Sequence, residues 1–370
     1  MNNYKQLRQI FFVVSTFFLM SGFGFASSDV EDNERSEVQK PKPEYSESKN
    51  KRGGKVVVAN RASGTISIIN GKTDEVIKTI SLPSASDQAE PMYVVHTPES
   101  NRVFVGDRAN NRVIVFDDKS FDIEGYVPAG NGVFHMWADP SDAQLWVNND
   151  IDNTSTVIDP ETLEVLATVA MPADIVTLGG KPHDVILDPS GDFAYVTIVG
   201  SSTLNDFVIK FSTDSFKEVA RAEVGKDPHL SLTRKNKLLY VPTQNNNAVY
   251  ILARKDLSLV KILTVPGAHG AAIPRNGKTF YTTNISGGGV DGLYSINTKN
   301  NELLGEAVDT PFPVPHNIVL NRRGSKLYIT HSGGTANTVS VYSISDETNL
   351  PELKSTIIVG DNPFGLTFVK

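Results

Sequence analysis

A chain of 370 residues, 39% of them hydrophobic, can build two ordinary domains or one large all-β domain. Its 42 acidic and 35 basic residues leave a formal charge of -7, which argues against general nucleic-acid binding, since that needs a basic surface to displace phosphate counterions. There is no cysteine, so disulfides, thiolate metal sites, cysteine nucleophiles and a lipid-anchored cysteine are all excluded, and chemistry must use histidine, carboxylates, hydroxyls and amides.

Residues 1–26 read as an export signal: Lys5 and Arg8 form a basic start, Ile10 to Met20 is apolar, and Gly24-Phe25-Ala26 is a small-x-small cleavage site. The apolar run falls short of the roughly 20 residues that span a bilayer, so a cleaved signal, a periplasmic or secreted location and a mature chain without a transmembrane segment are expected. Residues 27–54 are Glu-, Lys-, Ser-, Asn- and Pro-rich, with too few large apolar residues to fold alone, and read as a polar disordered linker.

From Lys55 the chain repeats itself. "KVVVAN", "RVFVGD", "QLWVNN", "FAYVTI", "LLYVPT", "TFYTTN" and "KLYITH" are versions of one strand, and their matching residues Val58, Val105, Val147, Val196, Val241, Thr282 and Ile329 lie 47, 42, 49, 45, 41 and 47 apart. That period, with four strands per unit and no helical periodicity, predicts a seven-bladed β-propeller over residues 55–370. The chain opens on a second strand without a first and ends on "PFGLTFVK", a first strand without a second, so the two are expected to pair and close the ring. "NGKT" occurs twice, at Asn70 to Thr73 and Asn276 to Thr279, without the earlier glycine of a phosphate loop, and reads as turn chemistry.

The segments "PHDVILDPSGDFAYVT", "YTTN", "HNIVLNRRGSKLYIT" and "TVSVYS" resemble the YVTN-repeat seven-bladed propellers, over residues 55–370. The resemblance implies a fold that hosts binding modules and enzymes alike.

Histidine placement is the main functional signal. His183, His229, His269 and His316 begin the inner strands of four consecutive blades, and His135 lies within about one residue of that place in the blade before. His331 ends a second strand, in the slot that elsewhere holds Asn60, Asp107, Asn149 and Asn284. All six fall on one face of a propeller; His96 falls on the other. Such imidazoles either serve the turns or bind a ligand or a transition metal. Copper or zinc suits an all-imidazole set, with Met92 and Met136 as candidate soft ligands. Phe364 holds the equivalent place in the closing blade. On the same rim, Arg61, Asp107, Arg108, Asn149 and Asn284 are candidate ligand contacts, beside the acids Glu90 and Asp227. Trp137 and Trp146 flank one turn and are expected in the core.

No nucleophile-base pair or nucleotide loop is visible. The expected function is therefore an exported, monomeric binding or scaffold protein that uses the histidine face for a protein, peptide, small molecule or metal. The alternatives are a periplasmic enzyme dependent on copper or zinc, or a lactonase- or lyase-like propeller enzyme with a rim histidine or carboxylate as acid or base.

Overall fold

The computed structural model describes residues 53–233 and 237–370. The expected export signal, and the linker as far as Arg52, lie outside them. The described chain forms seven four-stranded antiparallel sheets, one per repeat, as the period predicts. In blade 1 the outward order is Pro363–Val369, Lys55–Asn60, Thr65–Asn70 and Glu75–Ser81, so the last strand of the chain lies inside the first. Val56 pairs with Phe368 and Val58 with Leu366, which closes the ring.

Each blade is apolar on both faces, and the core lies between neighbouring blades. Val57 and Ile66 of blade 1 pack with Val103 and Ile114 of blade 2, and comparable clusters fill the other interfaces round to the contact of blade 7 with blade 1. Outer strands alternate half-buried with exposed residues, as in Glu75–Ser81 and Leu259–Thr264. This alternation is what an edge strand with one wet face requires.

The turn joining third and outer strands is the same in every blade. Its last residue, at Asp74, Phe121, Leu163, Phe216, Leu257, Asn301 and Asn349, has φ between 56° and 64° and donates its N–H to the carbonyl four residues back. Phe and Leu are uncommon at positive φ; here Phe121 and Leu257 are buried between blades, which offsets the strain. The tyrosine of each "YVT"-like strand reaches the equivalent turn of the next blade: Tyr195 donates to the Arg254 carbonyl, Tyr240 to Asn301 Oδ1, Tyr281 to the Asn349 carbonyl and Tyr328 to Asp74 Oδ1. The first "NGKT" belongs to this turn in blade 1, and the second lies where the first two strands of blade 6 are joined.

Two details depart from expectation. The loop "PADIVTLGGKP" carries a short helix, Ala173–Thr177. Trp146 is fully buried, but Trp137 is 41% exposed. Trp137 lies two residues beyond His135 on an inner strand, stacks on it with centroids 6.3 Å apart, and so faces away from the blade core. Among the described residues no helix is long and apolar enough to cross a membrane.

Candidate functional site

Pro182-His183 and Pro315-His316 stand on a β-bulge that recurs in six blades; in blade 5, where Pro228 pairs with Thr243 and Ser231 with Tyr240, the register does not shift. In blade 4 the inner strand pairs Pro182 with Ile198 but Val185 with Val196, which leaves one extra residue at His183-Asp184. The same shift falls at Met92-Tyr93, Phe134-His135, His269-Gly270, His316-Asn317 and Phe364-Gly365. A bulge re-aims side chains and leaves backbone groups unpaired. Here threonines satisfy them. The N–H groups of Asp184, Gly270 and Asn317 donate to Thr197, Thr283 and Thr330 Oγ1 at 2.8, 2.8 and 3.1 Å. Thr283 and Thr330 in turn donate to the His316 and Phe364 carbonyls of the next blade, and Asn148 does the same for His183. Gly270 is required by this closeness, because a Cβ there would stand 2.0 Å from the His316 carbonyl oxygen.

The first bulge residues, with His229 at the matching place in blade 5, form a ring at the mouth of the central channel. Centroids from Phe134 to His183, His229, His269, His316 and Phe364 are successively 4.7, 4.9, 3.7, 4.6 and 4.3 Å apart. Buried Met92 holds the blade 2 place and packs with Tyr93, Phe134 and Phe364. The four histidines form one unbroken arc, and an apolar arc completes the circle.

Asp184, one residue below the ring, organises the histidine arc. Its Oδ1 lies 3.4 Å from His183 Nδ1 and its Oδ2 3.4 Å from His229 Nδ1, and Oδ2 also accepts the Leu230 N–H at 3.1 Å. Burial alone would raise the Asp184 pKa, but His135, His229 and His183 hold it well below the usual carboxylate range. Burial pulls His183 down, yet Asp184 and Asp227 outweigh it and the net shift is upward. Burial, then the neighbouring imidazoles, holds His269 well below its ordinary value and lowers His316 to about 3. His269 Nδ1 lies 3.0 Å from Gln244 Oε1, which places its ring proton there and the lone pair on Nε2. His229 Nε2 and His269 Nε2 are buried without a hydrogen-bond partner.

Two arginines stand over the apolar arc. Arg61 pairs with Glu90 at 2.6 Å and lies 5.5 Å from the Phe364 centroid; Arg108 pairs with Asp150 at 2.9 Å and lies 5.9 Å from Phe134. The mouth is thus imidazole on one side and guanidinium on the other.

Other candidates sit elsewhere. His135 lies one residue below the ring, where its Nδ1 accepts the Val185 N–H at 3.1 Å. His331 is fully buried, with Nδ1 3.1 Å from the Pro313 carbonyl and Nε2 2.8 Å from Ser340 Oγ, so both nitrogens are engaged within blade 7. Asp107 accepts from the Glu90 N–H, Asn110 and Arg112, and Asn149 donates to Thr154 and Thr156. The Asn149 and Asn284 carboxamide oxygens have no hydrogen-bond partner. Met136 turns into the interface between blades 2 and 3. His96 pairs with Asp118 at 3.0 Å. Sequence reasoning missed Asp184 and Gln244. The signal for Asp184 was its place directly after His183: in a regular strand consecutive residues face opposite ways, and the bulge brings both to the channel.

This ring of blades matches a known family. The model of the "Lactonase, 7-bladed beta-propeller" family matches residues 21–261, and the chain belongs to that family. Solved structures share the fold at low identity. Two are candidate 6-phosphogluconolactonases. The protein from Bacteroides fragilis NCTC 9343 has a TM-score of 0.65 and 15% identity, with 86% of this chain and 98% of that one covered. The one from Bacteroides uniformis ATCC 8492 has a TM-score of 0.64 and 17% identity, with 86% and 100% covered. Hydrazine synthase of Kuenenia stuttgartiensis is similar too, with a TM-score of 0.64 and 14% identity over 82% and 92%. No curated protein matches the chain.

Proposed function

We propose that the chain is a hydrolase that opens a polar lactone at the histidine mouth. Membership of the lactonase family supports this over the binding-scaffold reading. The observation that carries it is His269, a neutral imidazole whose proton is fixed on Nδ1 by Gln244 and whose Nε2 is unpartnered at the mouth. Ester hydrolysis needs such a group to take a proton from water as it adds to the carbonyl. The imidazolium formed then stands two places along the arc from His183, beneath which Asp184 lies. Arg61 and Arg108, across the mouth, supply positive charge for a phosphate or carboxylate on the substrate. The export-like residues 1–26 support a location outside the cytoplasm, and the "YVT" strands support the finer kinship with YVTN-repeat propellers.

The test is acid release from glucono-δ-lactone and its 6-phosphate by the full chain in a pH-stat. Hydrolysis above the spontaneous rate is expected, with a fall of about 10²–10⁴-fold in His269→Gln, the range for losing a general base. Spontaneous rates with both lactones and with other sugar lactones would overturn the reading.

A further inference from the structure

We infer that the mouth holds one divalent transition metal on His183, Asp227 and His229, with zinc the first expectation. One ligand atom from each of these residues lies within 4.8 Å of the others, and His229 Nε2 is 3.8 Å from Asp227 Oδ1. Ligands on one tetrahedral zinc at about 2.0–2.2 Å stand roughly 3.3–3.5 Å apart, so side-chain rotation of about an ångström closes the set.

The surroundings favour a cation over an empty cluster. His229 Nε2 is buried with no partner, which is costly for a polar atom unless something occupies it. The other nitrogen of that ring faces Asp184 at 3.4 Å, the carboxylate-imidazole arrangement that orients a metal-bound histidine and raises its basicity. Asp227 is held rigidly. It has φ of 60°, and its N–H donates to Asp206 Oδ2 at 2.9 Å, an acid that also pairs with Lys226 at 2.7 Å. Two imidazoles and a carboxylate are the donors of hydrolytic zinc sites, which keep a fourth position for water. A carboxylate also disfavours Cu(I). Water at that position would lie beside His269, whose ring is 3.7 Å from that of His229.

The inference stands apart from the lactone reading and is tested by binding alone. The untagged full chain, stripped with chelator and dialysed, is titrated calorimetrically with zinc chloride. One zinc per chain is expected. Removing an outer partner of a metal ligand costs 10–100-fold in affinity, so His183→Gln with His229→Gln should lose at least about 100-fold. Asp227→Asn, on a half-buried loop residue, should lose about tenfold or more with an unchanged thermal midpoint in chelator. Absence of stoichiometric zinc, or wild-type affinity in the double variant, would overturn the site. Should the double variant fail to fold, unchanged affinity in Asp227→Asn overturns it equally. Zinc bound without lactone opening sinks only the proposed reaction.

Discussion

Thr283 and Thr330 each serve two blades at once, accepting the N–H of their own bulge and donating to the carbonyl of a ring residue in the next. Thr330→Val keeps the shape and orphans a buried backbone group, the Asn317 N–H, while leaving the Phe364 carbonyl with the Asn317 side chain alone at 3.2 Å. At about 1–3 kcal/mol for each unsatisfied group, the urea midpoint should fall clearly with no change in the slope of the transition; an unmoved midpoint would mean that the hydroxyl bonds carry no weight. These threonines are visible in the sequence as the third letter of "YTT" and "YIT", but their task is not, because it depends on which carbonyl the next blade presents. The same limit applies to the histidines. His331 and His316 look equivalent as polar residues at strand ends, and only pairing register separates a nitrogen-saturated residue of blade 7 from one that joins the arc.

At the level of elements, the strand Pro363–Val369 differs from every other inner strand by arriving last in the chain. It contributes Val369, fully buried, and Phe364, 9% exposed, to two different clusters. A chain ending at Asn362 leaves Lys55–Asn60 as an open edge and removes the buried side chains of Phe364 and Val369, each worth about 1.5–3 kcal/mol. Loss of a cooperative thermal transition is expected; a midpoint equal to that of the intact chain would refute the closure. This element was readable from sequence, since an unpaired first strand and an unpaired second strand have one solution. The bulges were not, because an alternating apolar pattern reads the same with or without an extra residue at its first turn.

For the molecule as a whole, burying so many histidines makes stability depend on acidity. In the unfolded chain His316 takes a proton near pH 6.5, and in the fold only at about 3. Between those values the unfolded chain binds more protons, so stability is highest above 6.5 and falls as the pH drops through the window. Burial shifts His96, His135, His269 and His331 in the same direction, and His183 shifts oppositely and offsets part of the loss. Each histidine contributes up to about 1.4 kcal/mol per pH unit. The thermal midpoint should be nearly level from about pH 8 to 7 and drop steeply below about 6; a level profile down to about pH 4 would contradict the burial of these imidazoles. Seven blades were legible from spacing alone, whereas this burial follows from how closely the inner strands converge.

At the channel mouth the peptide linking a ring residue to the next is held from outside, as at His183-Asp184 and His316-Asn317, so the ring side chain is not what fixes the kink there. Met92, Phe134, Phe364 and four histidines all stand around that mouth. The circle is a seven-letter word set in fixed type, in which one letter can be exchanged without recasting the press. A scaffold spelled in this way can acquire or discard a chemistry through single substitutions, while its overall form persists among proteins that share few of its residues.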